Sequence, residues 1–164
     1  MKSLSRTLLP IYLFVLLWLV LFKFSSDPLS VLSNYQTRSL NFIPFAGASR
    51  SHLNEIIYNF VVFVPLGLLL SVNFKVTNFW RKLAYICTLS IAVEILQYVF
   101  AIGTTDITDV ITNTLGGLVG LLLYSACGKY IENKKIDRFI VVVGAVVLVL
   151  FILLRTLVFK VRYQ

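Results

Sequence analysis

Five runs of this chain are each about as long as a bilayer is thick and nearly free of charge, and they leave few architectures open. An α-helix rises about 1.5 Å per residue, so roughly 30 Å of hydrocarbon takes about 20 residues. The runs are Thr7–Phe22, Ile56–Phe74, Leu83–Ile102 (interrupted by Glu94), about Val110–Cys127, and Phe139–Leu154, which continues past Arg155 to Phe159. A helix on a soluble surface shows polar residues every three or four positions; these do not. Hydrophobic residues make up 59% of the chain and charged ones 13%, against about 25% charged in soluble domains. The expected fold is all-α: one transmembrane domain over residues 1–164, with spans at about 7–24, 56–74, 83–102, 107–127 and 139–159.

Lys2 and Arg6 before the first run give it the look of a secretory signal. The following Lys23-Phe24-Ser25-Ser26-Asp27 has no small-x-small cleavage pattern. The reading is an uncleaved anchor, lengthened by a snorkelling Lys23. Cys87 and Cys127 read as small buried residues, without metal-ligand or disulfide spacing. No cofactor motif is present.

Basic residues favour cytoplasmic loops. With the N-terminus inside, nine Lys and Arg fall on the inner side and six on the outer. The expected topology therefore has a cytoplasmic N-terminus and an external C-terminus. The net charge of +8 follows from this bias, with some attraction to anionic lipid. No basic, water-facing domain exists to bind nucleic acid.

The interruptions of hydrophobicity carry the functional signal. Glu94 sits near the middle of its run, where an acid is costly. Gln97 lies three residues on, so both face one side, and that side should point into the bundle. Two readings stand: a polar site or proton acceptor, and a hydrogen-bond clasp between helices. In the second run, Pro65 removes a backbone hydrogen bond and crowds the carbonyl of Val61, which predicts a kink. Asn59, on one face with Phe63, reads as a helix clasp, and Gly67 as a packing residue.

The stretch Gly103-Thr104-Thr105-Asp106-Ile107-Thr108-Asp109 precedes the fourth run. Thr105 or Asp106 is the expected helix cap, with Asp109 in the first turn, where the helix dipole favours an acid. Asp106, Asp109 and Asn113 form one stripe that leads to Gly116, Gly117 and Gly120. The Gly116-x-x-x-Gly120 spacing predicts close approach of another helix, expected to be the third span. Arg38 and Arg50, in the long segment before the second run, are expected to fold over the acids and close an outer polar pocket. The only histidine, His52, reads as an ordinary loop residue. The apolar Leu40–Phe45 either lies in the interface or folds back over the helices.

Four blocks in this order resemble the VanZ-like family: Asn41-Phe42-Ile43-Pro44-Phe45, Asn59 to Gly67, Glu94-Ile95-Leu96-Gln97, and Asp106-Ile107-Thr108-Asp109 running into Asn113-Thr114-Leu115-Gly116-Gly117. They span about Leu40 to Tyr124. Many family members carry an Arg shortly before the first Asp of the last block; this chain has Ile102-Gly103-Thr104-Thr105 there. Arg38 and Arg50 are then the remaining positive partners. The resemblance implies a small multi-span protein of the Gram-positive cell membrane, whose founding member is associated with teicoplanin resistance.

The first functional reading is non-enzymatic. It binds a membrane lipid, a lipid-linked wall precursor or a lipid-tailed glycopeptide, or pairs with a membrane protein or a second copy. Its pocket candidates are Glu94, Gln97, Asp106, Asp109, Asn113, Asn59, Arg38 and Arg50. The alternative is an intramembrane enzyme acting on a lipid head group, with Glu94, Asp106 and Asp109 as acid, base or metal ligands. No activated nucleophile is visible. Five spans without an inverted repeat argue against an autonomous transporter.

Overall fold

The computed structural model describes residues 2–22, 39–45, 50–102 and 104–162, with the side chains of Lys2, Arg50, Ser51, Thr104 and residues 157–162 outside that description. The elements are α1 (Lys2–Leu21), β1 (Ser39–Asn41), α2 (Arg50–Asn73), α3 (Phe79–Phe100), β2 (Thr104–Asp106), α4 (Ile107–Cys127) and α5 (Asn133–Arg162). All five helices are long and apolar enough to cross a membrane. Each expected span is a helix, but the helices begin before the apolar runs do. α2 starts six residues ahead of Ile56 and α5 six ahead of Phe139, because polar residues at a membrane surface continue a helix without cost. His52 therefore sits in the first turns of α2, half-buried, and not in a loop.

Short connections between α2 and α3 and between α4 and α5 reverse the chain at one end of the bundle. Ser5 and Arg6 of α1 line a cleft with Asn73 and Lys134 at that same end. At the opposite end, the Gln97 amide near the end of α3 donates to Val20 O near the end of α1, at 3.0 Å. We call these the N-terminal end and the bridge end. Asn78 caps α3 by accepting from Trp80 N at 2.7 Å. Ala101 ends α3 in the left-handed region, φ 53°, which lets Ile102 N reach back to Gln97 O at 3.0 Å.

The tightest seam joins α2 to α4, and glycine makes it possible. A Cβ at Gly116 would fall 2.9 Å from the carbonyl carbon of Phe60. One at Gly120 would fall 3.0 Å from Gly67 Cα. These are backbone atoms that cannot step aside. The expected partner of this glycine face, the third span, is therefore corrected to the second. The physical reason is that α2 also lacks a side chain opposite, at Gly67, so the two backbones touch. α3 instead presents Ile86, whose side chain fills the space over Gly117. In lipid, where tails are as apolar as leucine, such packing carries much of the helix association.

Around the seam, Leu66 and Phe63 of α2, Leu16 and Val20 of α1, Ile86 and Val93 of α3, Leu121 of α4 and Val141 of α5 form one buried cluster. Asn59 is buried on the same face of α2 as Phe63. α2 runs unbroken through Pro65. One residue after Val61, whose carbonyl the proline leaves without its helical donor, Val62 O accepts a hydrogen bond from the Tyr12 hydroxyl of α1. The cysteines correct a third expectation: Cys87 is half-buried and Cys127 exposed.

Candidate functional site

At the bridge end, β1 and β2 form a two-stranded parallel sheet with Asn41 opposite Asp106. The chain's all-helical plan thus gains one short bridge. The apolar segment after β1 folds back over the helix ends, and three hydrogen bonds show how. Asn41 Nδ2 donates to Asp106 Oδ2 at 3.0 Å. Ile43 N donates to Asn41 Oδ1 at 3.1 Å, closing a tight turn. Phe45, with φ 59°, points its N–H at Thr108 Oγ1, at 3.0 Å.

Asp106 is the hub. Its Oδ1 caps α4 by accepting from Thr108 N at 2.8 Å, and its own N–H donates to Glu94 Oε2 at 3.0 Å. Thr105 Oγ1 adds a bond to Glu94 O at 3.2 Å. Glu94 and Asp106 are 3% and 6% exposed. A buried carboxylate is stable only when hydrogen-bonded, and this is where these two find donors. Glu94 is thus no mid-span charge: it lies six residues from the end of α3, level with the start of α4.

Deeper in the bundle the polar stripe continues. Asp109, in the first turn of α4, is buried. Asn113 Nδ2 donates to Ser90 Oγ of α3 at 3.0 Å. Gln97 turns the other way, toward α1, as described above. Asn113 and Gly117 face α3 while Gly116 and Gly120 face α2, so α4 is two-sided.

Above the hub lies a groove of about 510 Å³. Its polar lining comes from Asn41, Glu94, Thr105 and Asp106, and its apolar walls include Leu40, Phe42, Ile91, Ile95, Tyr98 and Val110. Phe42 is 73% exposed and Ile95 56%. Of the residues singled out in the sequence, Glu94 and Asp106 meet at this groove. Gln97, Asp109, Asn113 and Asn59 are buried but do not line it. Arg38 and the Arg50 side chain lie outside the described residues, so the expected pairing of arginine with acid does too. Among the described residues, no three His, Cys, Asp or Glu side chains converge as a metal site. Asn41 and Thr108 were missed as site residues. An asparagine inside an otherwise apolar stretch was the available signal for the first.

A five-helix bundle with a hydrogen-bonded polar cap at one end and a glycine seam beneath it defines a class: a small multi-pass helical membrane protein. The VanZ/LLP1 family model matches residues 9–128, and the chain belongs to that family. It is 52% identical to Protein VanZ of Enterococcus faecium over 155 residues, covering 94% of each chain. No solved structure matches it.

Proposed function

We propose that this chain is a non-enzymatic protein of the cell membrane that binds a lipid-tailed envelope ligand in the Asp106 groove. The N-terminal end faces the cytoplasm, where its excess of Lys and Arg belongs, and the bridge end with its groove faces outside. The ligand class comprises lipid-linked wall precursors and lipid-tailed glycopeptides, and the resemblance to a family whose founding member is associated with teicoplanin resistance points toward glycopeptides of that type. One observation supports the reading: a groove at the bridge end with exposed apolar walls and the polar residues Asn41, Glu94, Thr105 and Asp106 beneath them. The acid oxygens argue against chemistry. Both Asp106 oxygens and Glu94 Oε2 already accept protein hydrogen bonds.

The test is teicoplanin susceptibility of a host expressing the chain. Leu40→Glu and Phe42→Glu place charge on exposed groove walls. Both are expected to abolish protection at unchanged membrane abundance, while a glycopeptide without an acyl tail is unaffected by the protein. Full protection by both variants, or turnover of a lipid by the purified protein, refutes the proposal.

A further inference from the structure

The N-terminal end holds a second cleft, of about 520 Å³, to which three helices contribute. Arg6 comes from α1, Asn73 from the end of α2 with Lys75 just beyond it, and Lys134, Asp137 and Arg138 from α5. Asp137 is the only acid in the lining, and it is already engaged. Lys75 forms an ion pair with it, and the Tyr124 hydroxyl donates to its Oδ1 at 2.8 Å. Among the described residues, Arg6, Lys134 and Arg138 have no acidic partner. Three uncompensated cations around one cleft repel each other unless an anion joins them.

We infer that this cleft holds the phosphate of an anionic phospholipid of the phosphatidylglycerol type. Guanidinium forks match phosphate oxygens in pairs, and two of the three free cations are arginines. The cations cluster at one end of the bundle: Lys134 is at a helix start, Lys75 just beyond a helix end, and Arg6 and Arg138 lie within two turns of a helix start. A neighbouring cleft of about 540 Å³ distinguishes a lipid from a free phosphate. It shares Lys134 and Arg138 and continues along Phe139, Val142 and Val143 of α5, which are 68%, 48% and 42% exposed. The acyl chains lie on that apolar lane while the phosphate sits between the cations. This site is at the opposite end of the bundle from the Asp106 groove and is independent of what that groove binds.

The experiment is native mass spectrometry of the full chain, released from vesicles of equal phosphatidylglycerol and phosphatidylcholine. The wild type retains phosphatidylglycerol in preference to phosphatidylcholine. A direct, exposed ion pair with the phosphate contributes up to about fivefold, so Arg6→Gln with Arg138→Gln is expected to lower retention by up to roughly 25-fold. The control pair, Arg81→Gln with Lys129→Gln, removes the same charge from exposed positions at this end that line neither cleft, and leaves retention unchanged. Equal retention by the cleft variant, equal loss in the control, or no preference for phosphatidylglycerol overturns the inference. So does displacement of the lipid by millimolar inorganic phosphate, which would mark a site for the free anion. Should the double variant fail to fold, Arg6→Gln alone, at an exposed position of α1, is read the same way, with a loss of up to about fivefold expected.

Discussion

Exchanging Asn41 and Asp106 tests whether the polar cap is held together as described. In Asp106→Asn the side-chain oxygen can still cap α4, but its amide nitrogen now faces Asn41 Nδ2, donor against donor. Turning the Asn41 amide over relieves that clash only by taking its oxygen away from Ile43 N. A hydrogen bond to a charged group is worth about 1.5–3 kcal/mol, and a neutral one about 1 kcal/mol. The single change should therefore cost about 2–3 kcal/mol. Asn41→Asp alone sets two carboxylates against each other and should cost at least as much. The exchange, Asn41→Asp with Asp106→Asn, restores one donor to one acceptor. The new carboxylate can also accept from Ile43 N, so most of the loss returns. Two such singles against an exchange that regains most of the loss give an expected coupling in the double-mutant cycle of about 4 kcal/mol, which is roughly a thousandfold in the unfolding equilibrium. Unfolding by SDS from mixed micelles reads it directly. An exchange variant no more stable than the weaker single variant would refute the Asn41–Asp106 contact as the clamp on the cap.

Three further outcomes follow from the helix packing and the Glu94 contact. Gly120→Ala drives a methyl into the α2 backbone and should cost about 1–3 kcal/mol; Gly117→Ala meets the Ile86 side chain and no backbone of another helix and should cost less, and the same SDS titration ranks the two. Tyr12→Phe leaves Val62 O without its hydroxyl donor and should cost about 1 kcal/mol in the same titration. Glu94→Leu strands the Asp106 N–H and should cost about 1–3 kcal/mol, whereas Glu94→Gln keeps an acceptor there and should cost about 1 kcal/mol; hydrogen exchange at the Asp106 amide distinguishes the two.

The spans were legible because a bilayer admits so few solutions for backbone polar groups. The cap at Asp106 was legible too, since helix starts have a local chemistry that shows in sequence. What was not legible depended on the third dimension. Gly116 and Gly120 announce a close helix neighbour but not which one. Only the matching gap at Gly67, about fifty residues earlier, settles that. Glu94 looked isolated at mid-span because its donor is a backbone N–H, that of Asp106, and backbone donors carry no sequence signature. Asn41 escaped notice for the converse reason: its partner is a side chain 65 positions away.

The two-sidedness of α4 connects these observations. A polar floor binds best when it does not have to be assembled on binding, because ordering its side chains costs free energy. Asp106 and Thr108 stand at the start of α4, and the same helix is fixed against α2 from Gly116 onward by backbone contact. A helix seated on glycine has little freedom to roll, since any rotation brings a side chain into the α2 backbone. Asn113, bonded to Ser90, fixes it against α3 at an intermediate level. The floor is thus preorganised from below. The walls are different: Leu40 and Phe42 belong to a segment held by the short bridge, Asn41 and the Phe45 N–H. The groove therefore combines a rigid polar floor with an apolar flap that a few hydrogen bonds hold in place. On the proposed function, this arrangement predicts strict recognition of the head group and tolerance of variation in the tail.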